Sequence, residues 1–392
     1  MMNSRGWIAR VIKASRRRLL PTPSLVSFPT DARFMGLQTT PEQQLANVRE
    51  RYLARDGRLL PRNRPLNVFA AFHNFNWESA NLLPALQTLG SVTHYDWVIT
   101  HEVDDPDWYR GPRAQFNAEL LDRVRRCHRE KKVDVFFSYL IGPWVQAETL
   151  EQIRGEGIFT MNLSLDDEDK FWGIRVPSGY SGIADIAGRY DACLTSAASA
   201  IPKYLSVNAA PVFTPEGADP DFFKPLAVCE DKDIPVSFIG QKYGARGDMI
   251  ARVERAGIPV AAFGNRWPRG RISTEEMASI YARSLVCLGH GLSAQGKVLA
   301  LKGRDFEVPM SGTCYLTLYN PELIQYFVPN EEILFYNDFQ ELVDILKSLL
   351  AKPEKAIAIG RAARARSLKD HTWTRRLAAP IQAVSDSAAN PN

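Results

Sequence analysis

Cysteine is scarce in this 392-residue sequence, and its five cysteines are scattered without a Cys-x-x-Cys pair. Disulfide frameworks and structural zinc sites use cysteines in even numbers or in closely spaced pairs. The pattern therefore argues against both kinds of site. We expect a protein of a reducing compartment, the cytoplasm.

Long apolar runs are also missing. No segment approaches the roughly 20 consecutive apolar residues that a membrane-spanning helix needs. Residues 1–20 lack the apolar core and the small-residue cleavage site of a secretory signal. With 45% hydrophobic and 23% charged residues, the composition is that of a globular protein.

Acidic residues are scarce only at the beginning of the chain. Residues 1–65 hold thirteen Lys or Arg and four Asp or Glu, although the net charge of the whole chain is only +4. The remainder is therefore slightly acidic, so a nucleic-acid-binding core is not indicated. In residues 5–20 the apolar positions fall near one helical face and most basic residues elsewhere. This segment is either an amphipathic helix on an anionic membrane surface or a solvated terminus.

Short apolar segments alternate with helical segments from Leu66 onward. Predicted strands lie at 66–72, 91–99, 133–140, 157–165, 189–196 and 209–217, and in a second series at 234–240, 258–265, 284–291, 313–320 and 331–338. Predicted helices lie at 41–55, before 90, and at 113–132, 144–154, 246–256, 274–283, 339–350 and 353–368. Apolar strands that alternate with helices of 10–15 residues indicate parallel α/β sheets.

A Pro- and acid-rich stretch separates the two series. We predict an α/β protein of two Rossmann-like domains that face each other across a cleft, with the ligand beyond the carboxyl ends of the strands. The first strand is not followed by Gly-x-Gly-x-x-Gly, so a dehydrogenase is not indicated. The predicted segments are a basic extension (1–65), a first domain (66–215), a linker (216–233), a second domain (234–370) and a tail that returns toward the first domain (371–392).

The stretch KGRDFEVPMSGTCYLTLYNPE (302–322) places the carboxylate of Glu307 on a mostly apolar helical segment. Burying a carboxylate without partners costs several kcal/mol, so Glu307 needs a partner in the protein or in a ligand. One alternative is an ion pair with Arg304 three residues earlier, worth only about 0.2–0.5 kcal/mol on an exposed helix.

The stretch FIGQKYGARG (238–247) has the composition of a phosphate-binding turn. Gly240 and Gly244 permit a close approach to the backbone, and Lys242 and Arg246 supply positive charge. A diphosphate group needs such backbone N–H groups and basic side chains. The alternative is an ordinary strand–helix turn with solvated basic residues. Arg304 and the Gly-containing loop at 293–297 are further candidate donors.

These motifs, in this order, resemble those of the GT-B glycosyltransferases, and within them the spore-maturation (CgeB-type) branch of the group-1 glycosyl transferases. The resemblance rests on FIGQKYGARGDMI, KGRDFEVPMSGTCYLTLYNPEL, EEILFYNDFQELVDIL and RSLKDHTWTRR, and extends over 234–376. Weaker similarity covers 66–225, including EGADPDFFKP and SLDDEDKFWG. None is found over 1–65.

The resemblance implies transfer of a sugar from a nucleotide-activated donor that is held mainly by the second domain. Glu307 matches the carboxylate that binds the donor ribose, and Arg246 is favoured over Lys242 for the diphosphate. Many group-1 enzymes carry another Glu eight positions before this one, where this sequence has Leu299. That departure leaves the sugar and the stereochemical outcome open.

Candidate residues of the first domain follow predicted strands. Asp166 and Asp167 lie in the acidic run 166–169, where they would orient or deprotonate the acceptor hydroxyl or form a surface loop without chemistry. Asp167 and Asp169 also spell Asp-x-Asp, whose oxygen ligands suit Mg²⁺ or Mn²⁺. His73 is a further candidate base or sugar ligand.

In the second domain, His290 follows a strand and is a candidate donor ligand, while His371 is expected to anchor the tail. The sequence as a whole predicts a glycosyltransferase that uses a nucleotide-diphosphate sugar, without a metal or a tightly bound cofactor. Its acceptor would be a glycan, a lipid-linked glycan or a protein, reached in the cytoplasm or on the inner face of the membrane. Two alternatives stay open: a non-catalytic nucleotide- or glycan-binding module, and a metal-dependent transferase that uses Asp167 and Asp169.

Overall fold

A computed structural model describes residues 39–177, 179–227, 232–292 and 299–386. Contacts group these described residues into two units, the first drawn from 39–73, 91–213 and 382–386 and the second from 74–90 and 214–381. The second unit includes residues 74–90, which the prediction places in the first domain. The physical reason is local, because Trp77 stacks on Trp373 and the Asn81 side chain accepts a hydrogen bond from the Asp219 N–H.

The chain is a succession of short strands and amphipathic helices. As far as residue 213 these are α1 (Pro41–Asp56), β1 (Leu66–Ala71), α2 (Glu78–Gln87), β2 (Gly90–Tyr95), α3 (Pro112–Lys131), β3 (Val135–Ser138), α4 (Ala147–Gly155), β4 (Phe159–Ser164), α5 (Asp167–Lys170), β5 (Ile174–Val176), β6 (Gly179–Ser181), β7 (Ala192–Thr195), α6 (Ile201–Ser206) and β8 (Pro211–Phe213).

The later elements form the second series. They are β9 (Ile234–Ile239), α7 (Arg246–Arg255), β10 (Ala261–Phe263), α8 (Thr274–Arg283), β11 (Ser284–Leu288), α9 (Arg304–Met310), β12 (Cys314–Leu318), β13 (Leu334–Tyr336), α10 (Phe339–Ala351), α11 (Pro353–Asp370) and α12 (Trp373–Ala383).

The first sheet has the strand order β2-β1-β3-β4-β7-β8. The pairs from β1 through β8 are parallel, with Val68 opposite Val135 and Met161 opposite Ala192. All residues of β3, β4 and β7 are buried, as expected of strands covered on both faces by helices. Strands β5 and β6 form a separate antiparallel hairpin.

The second sheet has the order β10-β9-β11-β12-β13 and is parallel throughout. Its core packs apolar strand residues such as Phe238 and Leu316 against Leu342 and Leu346 of α10. Local sequence defines the helix starts, because Ser273 and Asp338 accept N-cap hydrogen bonds from backbone N–H groups three residues later.

These two parallel sheets confirm the predicted α/β fold class. Each predicted strand contains a shorter observed one, except that β2 begins one residue before the predicted 91–99, and predicted helices such as 274–283 and 339–350 are present. Helices α5 and α6 are too short for their periodicity to show in the sequence, and the β5–β6 hairpin was likewise not predicted. Helix α12 lies where the prediction has only a tail.

Candidate active site

The strand order identifies a candidate ligand-binding edge of the second sheet, at the carboxyl ends of β9 and β11. The chain first adds β10 on one side of β9 and then β11 on the other, so the winding direction reverses between these two neighbours. Open parallel sheets bind ligands beyond the strand ends at such a reversal. Gly240 follows β9, and His290 follows β11 after one residue. The predicted phosphate turn and the predicted His290 thus lie at one edge.

Arg246 begins α7 and is only 2% exposed. Its Nη1 donates to the Gln241 carbonyl at 3.2 Å and its Nη2 to the His290 carbonyl at 3.0 Å. The guanidinium carbon lies 4.0 Å from the centre of the Tyr243 ring. Burial, together with the charge of Arg304, lowers the pKa of Arg246 to about 10, so the side chain is cationic at neutral pH. Within the described residues its Nε has no acceptor.

Arg304 begins α9, and its guanidinium approaches that of Arg246 at Gly240. A Cβ on Gly240 would lie 2.7 Å from Nη2 of Arg304 and 3.4 Å from Nη1 of Arg246. Only glycine leaves room for both groups at this point. Two neighbouring cations favour the binding of an anion, because each can donate charge-assisted hydrogen bonds to it. The N-terminus of α7 adds backbone N–H groups to the same region.

Lys242 lies on the same turn but in a different environment. Its side chain is exposed, and its ammonium group lies 5.0 Å from the centre of the Trp267 ring. The indole N–H of Trp267 in turn donates to the Gly240 carbonyl at 2.8 Å. Lys242 therefore packs on the solvent-exposed side of the turn, whereas Arg246 is buried within it.

Glu307 is 7% exposed on α9 and lies beside Gly303, the residue before that helix. A Cβ on Gly303 would lie 3.2 Å from a carboxylate oxygen of Glu307 and 2.9 Å from one of Glu216. Burial raises the pKa of Glu307 to about 7, while the positive charge of Arg304 opposes this and the carboxylate of Asp305 adds to it. Glu307 is thus a carboxyl group that changes charge near neutral pH.

His290 is 8% exposed, and its Nδ1 lies 3.2 Å from the Tyr336 hydroxyl. Burial and the two neighbouring arginines lower the pKa of His290 to about 4. Tyr336, at the end of β13, was not identified from the sequence. Its position two strands away from β11 gives no local signal.

At the corresponding edge of the first sheet, His73 follows β1. Its Nδ1 lies 2.7 Å from Oδ1 of Asp96, the residue directly after β2. Both side chains are only partly exposed. A carboxylate on Nδ1 keeps the neutral imidazole protonated there and leaves a lone pair on Nε2, which is the arrangement of a general base. Asp96 was not predicted, although its place at the end of a predicted strand beside β1 was a usable signal.

Asp166 and Asp167 have different surroundings. Asp166 is half-buried and pairs with Lys170 at 2.9 Å. Asp167 is 1% exposed. Its oxygens accept hydrogen bonds from the hydroxyl groups of Ser164, Thr195 and Tyr204 at 2.6 to 2.8 Å. Such complete pairing favours a structural role for Asp167 over acid–base or metal chemistry.

His371 and the remaining predicted segments can be compared with the structure as follows. His371 receives a hydrogen bond from Arg376 on Nδ1, and its Nε2 lies 2.9 Å from the Tyr326 carbonyl, so it anchors the tail as predicted. The loop at 293–297 and the basic segment at 5–20 lie outside the described residues. In the described part of the chain, no cluster of three or more potential metal ligands is found. No described helix combines the length and apolarity needed to cross a membrane.

Comparison with known protein families gives a match to the family described as glycosyl transferase-like, over residues 246–382. The matched region contains Arg246, His290, Arg304 and Glu307. No curated protein sequence matches the chain.

Three solved structures illustrate the structural similarity. Sucrose-phosphate synthase from Thermosynechococcus elongatus has a TM-score of 0.51 at 13% identity, covering 81% of this chain and 97% of its own. A glycosyltransferase from Rickettsia africae has a TM-score of 0.54 at 10% identity, covering 83% and 100%. Anabaena HepE, solved in complex with UDP-glucose, has a TM-score of 0.51 at 10% identity, covering 81% and 98%.

At these identities the solved structures establish the fold, which is that of the GT-B glycosyltransferases. The family match supports the prediction of a glycosyl-transferring enzyme. Both findings agree with the predicted resemblance at the level of the group-1 GT-B proteins. The narrower CgeB-type branch stays a prediction.

Proposed function

We propose that this protein transfers a glycosyl group from a nucleotide-diphosphate sugar to an acceptor hydroxyl, with the donor bound by the second unit. The observation that carries the proposal is the pair of guanidinium groups, from Arg246 and Arg304, that meet at Gly240. They lie beyond the strand ends, at the reversal of the sheet where such ligands bind. A diphosphate would receive hydrogen bonds from both arginines.

Glu307 is assigned to the ribose of the nucleotide. A carboxylate accepts two hydrogen bonds from a vicinal diol, and bonds to a charged acceptor are stronger than neutral ones. Its burial beside Arg304 is consistent with a group whose partner is supplied by a ligand. Glu216, beside the same glycine, supplies a second carboxylate in this region.

The arginines also act in the transfer step itself. The bond between the anomeric carbon and the diphosphate oxygen breaks, and negative charge builds on the leaving nucleoside diphosphate. Cationic donors that are already in place stabilise this charge without reorganisation. The charge could also be neutralised by a metal ion, but Asp167 of the Asp-x-Asp sequence already binds three hydroxyl groups.

His73 is assigned as the general base. In the proposed step the acceptor hydroxyl gives its proton to the His73 ring while its oxygen bonds to the anomeric carbon. Asp96 orients the ring and stabilises the imidazolium that forms. Asp96→Asn is expected to lower kcat by about a hundredfold with a small change in donor KM. An unchanged kcat for both Asp96→Asn and His73→Ala would remove the pair from the mechanism.

The acceptor is proposed to be a lipid-linked or envelope glycan, because the basic residues 5–20 would suit an anionic membrane surface. Co-sedimentation with anionic liposomes, comparing the full chain with a variant in which Arg16, Arg17 and Arg18 are replaced by Gln, tests this idea. Equal binding of the two proteins would remove the membrane contribution. The CgeB-type branch is retained here as the proposed affiliation.

The donor site is tested by thermal-shift titration with UDP, GDP and dTDP and their glucose or mannose derivatives, with and without EDTA. A ligand at a hundred times its dissociation constant should stabilise the fold by about 2.7 kcal/mol. Glu307→Ala should lose this stabilisation, and the exposed Glu331→Ala serves as the matched control. A shift without measurable transfer would favour a non-catalytic binding module. Activity lost in EDTA would favour the metal-dependent alternative, and no shift with any ligand would refute the donor assignment.

A further inference from the structure

The ring of His290 has one nitrogen with a partner and one without. Nδ1 contacts the Tyr336 hydroxyl at 3.2 Å. Nε2 is buried and has no hydrogen-bond partner among the described residues. Buried polar atoms are nearly always hydrogen-bonded, and an exception calls for an explanation. Its place at the edge where Arg246 and Arg304 meet makes a bound ligand the natural partner.

The hydrogen bonds around Tyr336 determine which nitrogen carries the proton. The Tyr336 hydroxyl lies 3.1 Å from the Gly289 carbonyl and 3.1 Å from the Met249 sulfur. It has one proton, and a carbonyl oxygen is a better acceptor than a thioether. The proton therefore points to Gly289, so toward His290 the Tyr336 oxygen can only accept. Nδ1 of His290 must then be the protonated nitrogen.

The imidazole is also neutral. Burial and the charges of Arg246 and Arg304 lower the pKa of His290 to about 4, well below neutral pH. A neutral ring protonated on Nδ1 carries a lone pair on Nε2. The orphan atom is consequently an acceptor, and its ligand partner must bring an O–H or N–H group. An ionised phosphate oxygen cannot satisfy it.

We propose that Nε2 of His290 accepts a hydrogen bond from a hydroxyl group of the donor sugar, and that this contact selects the sugar. The inference rests on the proposed donor site. The His290 carbonyl is bonded to Arg246, which is assigned to the diphosphate, and the sugar is covalently attached to that diphosphate. The ribose is attached on the other side, and its diol is assigned to Glu307. The nucleobase, which also carries N–H groups, lies beyond the ribose and so farther from the diphosphate. A sugar hydroxyl is therefore the donor expected at His290.

Calorimetric titration of the full chain tests the contact with three ligand pairs: UDP and UDP-glucose, GDP and GDP-mannose, dTDP and dTDP-glucose. His290→Phe keeps a flat ring but removes the acceptor. It should weaken the nucleotide sugar about tenfold and leave the free nucleoside diphosphate nearly unchanged. His290→Gln can restore an acceptor near Nε2, and should recover most of the lost affinity. This split between sugar and diphosphate is not expected from a general loss of structure.

The tautomer is tested separately by ¹⁵N NMR of the histidine ring nitrogens. The unliganded protein should show a protonated Nδ1 and an unprotonated Nε2 for His290, and Tyr336→Phe should alter that preference. A protonated Nε2 would overturn the inference, as would equal loss of nucleotide sugar and nucleoside diphosphate in His290→Phe. If the wild type binds nucleotide sugars and His290→Phe binds them equally well, this inference alone fails. If the wild type binds none of the six ligands, the proposed function fails and the contact with it.

Discussion

The buried carboxylates of Asp191 and Asp167 in the first unit each accept several hydrogen bonds from the protein, whereas two buried nitrogens at the candidate site of the second unit have no partner among the described residues. Asp191 receives hydrogen bonds from Arg55, Arg154 and Thr160 at 2.8 to 3.1 Å. Asp167 is bonded by three hydroxyl groups.

The second unit contrasts with this at the ends of β9 and β11. Nε of Arg246 and Nε2 of His290 are buried without partners among the described residues. Glu307 is buried with a pKa raised to about 7. Their place together at the sheet edge where ligands bind favours a bound ligand as the partner of these groups. The contrast distinguishes buried carboxylates that stabilise the fold from the buried groups of the proposed donor site.

Replacing Arg246 should have the largest effect, and it tests whether a buried charge of the second unit serves the ligand rather than the fold. Arg246→Met should lower kcat/KM about 10²- to 10³-fold, because one preorganised donor to the developing charge is lost. The protein should stay folded, since the guanidinium bonds only two backbone carbonyls. The measurement is steady-state release of the nucleoside diphosphate, with thermal unfolding recorded alongside.

Lys242→Met is the matched control for that experiment. It removes a positive charge from the same turn, but from an exposed side chain. Its effect on kcat/KM should be less than about threefold, as for a solvated surface charge. Equal losses in the two variants would mean that net charge, not the buried guanidinium, binds the diphosphate.

Asp167→Ala should have the opposite effect from Arg246→Met: it should lower the stability of the fold and leave donor binding unchanged. Three hydroxyl groups would lose their acceptor in the core, which should cost about 3 kcal/mol in the free energy of unfolding. Asp167→Asn keeps the shape and one acceptor, so its cost should be smaller. Denaturant unfolding measures both, and donor affinity should be unchanged. A stable Asp167→Ala variant without transferase activity would instead make this carboxylate catalytic.

The sequence was sufficient for the layout of the sheets and for part of the site. Strand positions follow from apolar segments such as 234–240 and 284–291, because strands buried on both faces need continuous apolar residues. Glu307 stands out as a carboxylate on a mostly apolar helical segment, and Arg246 as a basic residue in a Gly-containing turn after a strand. These are local signals that one segment carries by itself.

Partnership between distant residues could not be predicted. The contacts of His73 with Asp96 and of His290 with Tyr336 depend on which strands become neighbours. The sequence of a single segment does not determine the strand order. The same holds for Asp167, whose acidic run is typical of a surface loop. Its burial depends on Thr195 and Tyr204, about thirty residues later in the chain.

Glu307→Gln tests the role of the buried Glu307 carboxyl group through the pH dependence of donor binding. An ionised Glu307 accepts hydrogen bonds from both ribose hydroxyls, so wild-type donor affinity should rise as the pH increases through about 7 and then level off. The Gln variant should bind about tenfold more weakly above pH 7 and show no such rise. Calorimetric titration with the stabilising nucleotide between pH 5.5 and 8.5, at about half-unit steps, follows the change.

The stability of the unliganded protein should fall as the pH rises, whereas donor affinity should increase. The pKa of Glu307 is raised from its usual 4.5 to about 7 in the folded protein. Between these two pH values Glu307 is still protonated in the folded state but ionised in the unfolded state. The free energy of unfolding of the wild type, relative to that of Glu307→Gln, should therefore fall as the pH rises from about 4.5 to 7. The difference should approach roughly 3 kcal/mol. Parallel pH profiles of the two proteins would show that Glu307 already has sufficient partners in the fold.

The smallest effect is expected for Asp166→Ala, and it is the one that separates the neighbours 166 and 167. Asp166 is 46% exposed, and its pair with Lys170 spans one helical turn, a contact worth about 0.3–0.5 kcal/mol. Loss of this pair should lower the free energy of unfolding by about that amount, and the salt dependence of unfolding should weaken. Because the acceptor is assigned to His73, transfer should continue at nearly the wild-type rate. A stable Asp166→Ala protein with a large loss of kcat would move the acceptor chemistry from His73 to this half-buried carboxylate.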